Sequence, residues 1–157
     1  MQSITPFLWF NDQAEEAMNF YLSVFQDAAA LGVVRCGKAG PGPEGSVLVC
    51  HFIVKGQELF AMNGGPHYSL SPAFSLAVSC DTQAEIDELW DKLCDGGQPN
   101  QCGWLTDKYG LSWQIWPAFM AQMLGGDTPQ QTERMMQALW QMQKPDLAEL
   151  QRAFNGQ

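Results

Sequence analysis

The feature that most restricts how this chain can fold is an internal echo. Asn11-Asp12-Gln13-Ala14-Glu15 returns in mid-chain as Asp81-Thr82-Gln83-Ala84-Glu85. An apolar run precedes each copy, Ile4 to Phe10 in the first and Phe74 to Ser79 in the second. A repeated segment of this kind points to one supersecondary unit used twice, and both apolar runs read as buried strands.

Each copy then opens a helix. Asp12 with Glu15, and Thr82 with Glu85, have the spacing at which two side chains satisfy the first free backbone donors reciprocally. Ala14, Ala17, Met18, Tyr21 and Phe25 form an apolar stripe at helical spacing in the first helix; Ile86, Leu89, Trp90 and Leu93 do so in the second, which Gly96-Gly97 ends. After the first helix, Val33 to Cys36 reads as a short strand and the Pro/Gly-rich stretch Gly37 to Gly45 as a long turn. Strands follow at Ser46 to Val54 and Gln57 to Met62, joined at Lys55-Gly56. The second copy closes with Trp104 to Thr106 and Leu111 to Trp116 around the turn Asp107-Lys108-Tyr109-Gly110.

The expected fold is therefore α+β, with two β-α-β-β-β modules at about 3–66 and 72–118 forming a curved mixed sheet. With C-terminal helices at about 128–155, this makes a single domain over residues 1–157. Thr128-Pro129 caps a Met- and Gln-rich helix to about Lys144, and a shorter one follows Pro145. Met135, Met136, Leu139, Trp140 and Leu150 are more apolar surface than a lone helix pair needs, so they are expected to pack on the sheet or on a second subunit.

With 17 acidic residues against 8 basic, the net charge of -9 leaves no basic stripe for phosphates, so nucleic acid is not expected as a partner. The N-terminal segment from Met1 lacks a leader pattern and no stretch is long enough to span a bilayer, which predicts a cytoplasmic protein without membrane contact. Cys36, Cys50, Cys80, Cys94 and Cys102 contain no C-x-x-C pair, against a disulfide framework or zinc ribbon. P-loop and G-x-G-x-x-G patterns are absent as well.

Several segments resemble the PhnB-like family of the glyoxalase/bleomycin-resistance/dioxygenase (vicinal oxygen chelate) superfamily. They are Thr5-Pro6-Phe7-Leu8-Trp9-Phe10, Gln13-Ala14-Glu15-Glu16-Ala17, Phe20-Tyr21, Asn63-Gly64-Gly65-Pro66-His67 and Gln101-Cys102-Gly103-Trp104. Members are often labelled 3-demethylubiquinone-9 3-methyltransferase, but no glycine-rich strand-to-helix turn for S-adenosylmethionine is present, and the label is read as a mis-transfer. A homodimer is expected from the apolar C-terminal helices, and the resemblance implies the same fold and, in enzymes of the glyoxalase type, four metal ligands. Those positions fall here at Thr5 or Pro6, at Phe60, among Ala73, Phe74 and Ser75, and at Gln114. Only Gln114 can ligate, and one amide does not hold a divalent ion. A rearranged set using Glu58, on the strand face of Phe60, together with Gln114 is the one alternative.

Trp9, Trp104, Trp113 and Trp116 give the modules aromatic walls, by which each is either a core residue or a pocket lining. Trp9, Phe60, Met62, Asn63, Trp104, Gln114 and Trp116 form the expected ligand-binding set. His67 is a candidate acid or base or a solvated loop histidine. Cys102 is a candidate nucleophile or a packed thiol, and His51 a hydrogen-bonded strand residue. The functional expectation is a small-molecule-binding protein with a degenerate metal site and no cofactor, its ligand unknown. The alternative is a metal-dependent or metal-free lyase, isomerase or dioxygenase of the same superfamily, and a purely structural dimer is a third.

Overall fold

The first apolar run forms β1 (Phe7–Phe10) in a computed structural model that describes residues 3–125 and 128–157; Met1 and Gln2, which begin the segment read above for a leader, lie outside them. By its contacts the chain divides into two units, Met1–Leu70 and Ser71–Gln157.

In the first unit, β1 is followed by α1 (Ala14–Val24), β2 (Ala28–Arg35), β3 (Val47–Val54) and β4 (Gln57–Asn63). The sheet order is β1-β4-β3-β2, with β1 parallel to β4 and the other pairs antiparallel. Alternation along the strands sends Leu8, Phe10, Cys50, Phe52, Leu59 and Ala61 to one buried face. Ala14, Ala17, Met18 and Tyr21 of α1 are buried as well, and each large apolar side chain removed from water contributes about 1.5–3 kcal/mol. Phe7, Trp9, Phe60, Met62 and His51 occupy the opposite face.

The start of α1 departs from expectation. Gln13, not Asp12, is the N-cap, and its side chain makes no capping bond. The amide of Ala14 instead donates to Asn63 Oδ1 at 2.8 Å, while Asn63 Nδ2 donates to the Val47 carbonyl at 3.1 Å. The end of β4 thus caps the helix from outside and ties it to β3. The strand expected at Val33 to Cys36 begins five residues earlier, at Ala28. Alanine and glycine carry little strand propensity, so pairing with β3 overrides the local signal here.

The second unit repeats the topology with β5 (Ser75–Cys80), α2 (Gln83–Cys94), β6 (Gln98–Pro99), β7 (Trp104–Thr106) and β8 (Ser112–Pro117), in the order β5-β8-β7-β6. The two-residue β6 carried no readable strand signal. Helix α2 has the expected capping box, Thr82 accepting from the Glu85 amide and Glu85 from the Thr82 amide. The turn from β7 to β8 is built on Asp107, a carboxylate only 3% exposed. It accepts from the Tyr109 and Leu111 amides and from Trp113 Nε1 at 2.9 Å. Trp113 is therefore a core residue.

A 3-10 segment, Ala118–Gly125, leads toward α3 (Pro129–Leu139), which ends earlier than the expected Lys144; α4 (Leu147–Asn155) follows, N-capped by Asp146. Met120, Met135, Leu139 and Leu150 form a buried cluster with Trp116 and Phe119 packed against it, whereas Trp140 remains 58% exposed. Gln83 anchors the start of α4 by donating to the Pro145 carbonyl and accepting from the Leu147 amide. Beside it, Lys144 Nζ meets Asp87 Oδ1 at 2.8 Å.

Two predictions follow from these polar anchors. Asp107→Ala leaves its buried donors without an acceptor and should cost roughly 3 kcal/mol in urea denaturation. The hydrogen bond from Lys144 holds the Asp87 carboxyl below its ordinary range, with Gln83 assisting. A carboxylate depressed in the folded state contributes stability above its unfolded pKa and loses that contribution as pH falls through the folded one. The unfolding midpoints of wild type and Asp87→Asn, different at neutral pH, should converge in acid.

Candidate functional site

Where β1 and β4 finish, beside the first turn of α1, the first unit encloses a cavity of about 680 Å³. Trp9 and Met62 are neighbours on β1 and β4 and supply its apolar wall. The indole is fixed from three sides. Its Nε1 donates to the Gly65 carbonyl at 2.9 Å, Tyr68 meets it edge-on at 5.1 Å, and Gly64 lies so close that a Cβ there would collide with the ring. Gly65, at φ 87°, makes the turn that presents its carbonyl to the indole.

The polar side of the cavity comes from α1 and from the end of β2. Arg35 donates to Glu15 Oε1 and to the Gly45 carbonyl, both at 3.2 Å. Asp12 and Glu16 bring further carboxylates to the start of the helix, where unpaired amides favour negative charge. Pro41, Gly42 and Pro43 of the long turn complete the wall. This turn is closed by bonds between Cys36 and both Gly45 and Ser46, and by Ser46 Oγ donating to the Pro43 carbonyl. Beneath the site, burial pushes the Cys50 thiol up and the Glu15 charge adds to the shift, against Arg35.

Of the expected ligand-binding set, the cavity brings together Trp9, Met62 and Asn63. Both ends of the Asn63 amide are committed to Ala14 and Val47, so it shapes the cavity as a fixed part of its frame. Phe60 lies elsewhere on the same sheet face, stacked between Phe7 at 5.2 Å and His51 at 4.4 Å. Glu58 pairs there with His51, Oε2 to Nε2 at 3.0 Å. His67 is exposed in a turn and does not line the cavity.

In the second unit Trp104, Gln114 and Trp116 share the sheet face away from Trp113, Trp104 directly opposite Gln114. Gln114 Nε2 donates to Ser75 Oγ at 2.9 Å, and Trp116 packs on the C-terminal cluster. Ser112, in the same strand, is 1% exposed. Cys102 takes the left-handed conformation, φ 62°, followed by Gly103 at 81°. Their amides donate to the Met142 and Gln143 carbonyls at 2.9 and 2.8 Å. Those bonds clasp the segment after α3 and account for a backbone state that costs a non-glycine residue about 1–2 kcal/mol.

The strand registers test the metal positions implied by the family resemblance. Phe60 pairs with Phe7, three residues before the end of β4, and Gln114 pairs with Ala77, three before the end of β8, so the two are structural equivalents. A phenyl ring in a stack and an amide bonded to a serine do not suit a divalent cation, which needs several convergent oxygen or nitrogen donors. Among the described residues, no group of three or more His, Cys, Asp and Glu side chains is placed to hold a metal ion.

Two mixed four-stranded sheets, each from a β-α-β-β-β unit, define the α+β fold of glyoxalase and bleomycin-resistance proteins. The family described as 3-demethylubiquinone-9 3-methyltransferase matches residues 2–116, and the chain belongs to this PhnB-like family of the glyoxalase superfamily. The chain is 40% identical to the PhnB protein of Bacillus cereus, over 74% of this chain and 100% of that one, with a TM-score of 0.69. Protein PA1353 of Pseudomonas aeruginosa is 22% identical, covering 72% and 95%, at a TM-score of 0.60. The fosfomycin-resistance protein FosX of Listeria monocytogenes, solved with Mn(II) and sulfate, is 14% identical over 71% and 88%, at 0.53; this likeness concerns the fold alone. No curated protein matches. Among the described residues no helix is long and apolar enough to cross a membrane.

Arg35, Glu15 and Pro41 to Pro43, which line the cavity, were not among the site residues expected from the sequence. One signal was available: a turn from Gly37 to Gly45 is longer than joining two adjacent strands requires. Gly64→Ala should displace the Trp9 indole and loosen its bond to Gly65, seen as a red-shifted tryptophan emission. Gly32→Ala, where a Cβ meets open space, should leave the emission unchanged.

Proposed function

We propose that the protein binds a small molecule in the cavity beside Trp9, without a divalent metal, in the manner of a sequestering protein. The carrying observation is the cavity itself. Its volume, about 680 Å³, falls within the roughly 300–1,000 Å³ common for ligand sites, and its indole wall is held rigid by Gly64, Gly65 and Tyr68. A preorganised aromatic surface costs little to order on binding. The apolar wall of Trp9 and Met62 suits a flat body, and the opposite rim of Arg35, Ser46 and carboxylates suits its polar end.

The five cysteines are free thiols, which fits a reducing compartment, and we place the protein in the cytoplasm as a homodimer. A second reading, an enzyme of the same fold, draws on the His51–Glu58 pair, since a carboxylate on one ring nitrogen leaves the other available as a base. In that reading His67 supplies the remaining chemistry.

A compound library screened by thermal shift should yield ligands that raise the midpoint of wild type, and Trp9→Ala should bind them at least roughly tenfold more weakly. Trp140→Phe, at an exposed position, should bind them normally. Stoichiometric divalent metal in protein purified without chelators would overturn the metal-free reading. Turnover of a library compound, lost in His51→Ala with stability intact, would favour the enzyme.

A further inference from the structure

The cavity beside Trp9 is unevenly charged. Asp12, Glu15 and Glu16 line it, against a single cation, Arg35. Arg35 and Glu15 offset each other through their contact at 3.2 Å. Asp12 and Glu16 stand exposed at the rim, and among the described residues neither meets a lysine or an arginine. Negative charge is therefore left over at the opening.

Hydrogen bonding leans the same way. The side-chain donors of the frame are already used, Trp9 Nε1 on the Gly65 carbonyl, Asn63 Nδ2 on the Val47 carbonyl and Ser46 Oγ on the Pro43 carbonyl. Ionised carboxylates only accept, so the lining offers a ligand chiefly acceptors. The start of α1 would by itself favour an anion. Its first turn already carries Glu15 and Glu16, however, and the Ala14 amide is taken by Asn63. Arg35 is the one side chain of the lining that calls for an anion, and it is held by Glu15 and by the Gly45 carbonyl.

We infer that the ligand of this cavity is an organic cation, a protonated amine or a quaternary ammonium carried on a flat apolar body. This rests on the small-molecule reading above and adds the ligand's charge to it. Asp12 and Glu16 meet the charge, and Trp9 and Met62 the body. An indole is the best of the side-chain rings for a cation, which its negative face attracts. Because both carboxylates are exposed, neither has to be stripped fully of water when the pair forms, and the desolvation cost of a buried ion pair is avoided. The net charge of -9 adds a field that gathers cations around the protein.

Three probes with one ring system separate charge from shape: naphthylmethylamine, naphthylmethanol and naphthoate, compared by titration calorimetry on the full-length protein. The amine should bind at least roughly tenfold more tightly than the alcohol, and the carboxylate more weakly than either. Added salt should weaken the amine and leave the alcohol unchanged. Asp12→Asn and Glu16→Gln should each weaken the amine roughly threefold without affecting the alcohol, and Glu88→Gln on α2 should change neither. Arg35→Gln removes the competing charge and should tighten the amine, the opposite of what an anion site would show. Far-ultraviolet spectra matching wild type would show that each variant folds. Equal binding of amine and alcohol, a preference for the carboxylate, or an amine that fails to bind at millimolar concentration would overturn the cationic ligand. Library ligands of other charge that depend on Trp9 would then keep the small-molecule reading, whereas a library without any Trp9-dependent ligand would overturn that reading too.

Discussion

The first unit depends on one amide. Asn63 stands at the end of β4, opposite Phe10 at the end of β1, and bonds both to the first turn of α1 and to the start of β3. Without it the helix would begin on free donors, because Gln13 does not cap it. Fixing the helix start also fixes Glu15, and Glu15 in turn holds Arg35. The next two residues, Gly64 and Gly65, set the indole of Trp9. A single turn of chain thus caps the helix and frames the cavity.

The second unit solves the same problem differently. Thr82 caps α2 within its own chain segment, and the position opposite the end of β5, equivalent to Asn63, holds Pro117. A proline there offers no side-chain donor or acceptor, and none is required. The polar anchor of this unit lies instead at Asp107, whose carboxylate organises the turn into β8 and orients Trp113. Duplicated topology is compatible with this divergence because topology depends on apolar alternation, whereas helix starts and turns need only some partner of the right polarity.

That distinction explains what could be read from the sequence. Both β-α-β-β-β units, the capping box of α2 and the core stripes were legible because they are periodic or local. The cap of α1 was not, since Asn63 lies 49 residues from Ala14. β2 was read too short because Ala28 to Gly32 reveals its strand character only through pairing with β3. Trp9 and Met62 belonged to the expected ligand-binding set, and both line the cavity. Arg35, Glu15 and the Pro41 to Pro43 turn reach the same cavity through the path of a long turn, which residue spacing does not encode.

The pairing of Phe60 and Gln114 at equivalent positions carries the last step. Each of the two positions faces the same way within its own sheet, three residues before the end of its strand. In this chain one position has become part of an aromatic stack with Phe7 and His51, and the other part of a hydrogen bond with Ser75. Each of these side chains finds its partners within its own sheet. The cavity at the end of the first sheet takes its lining from Trp9, Met62 and Arg35, none of which belongs to either position.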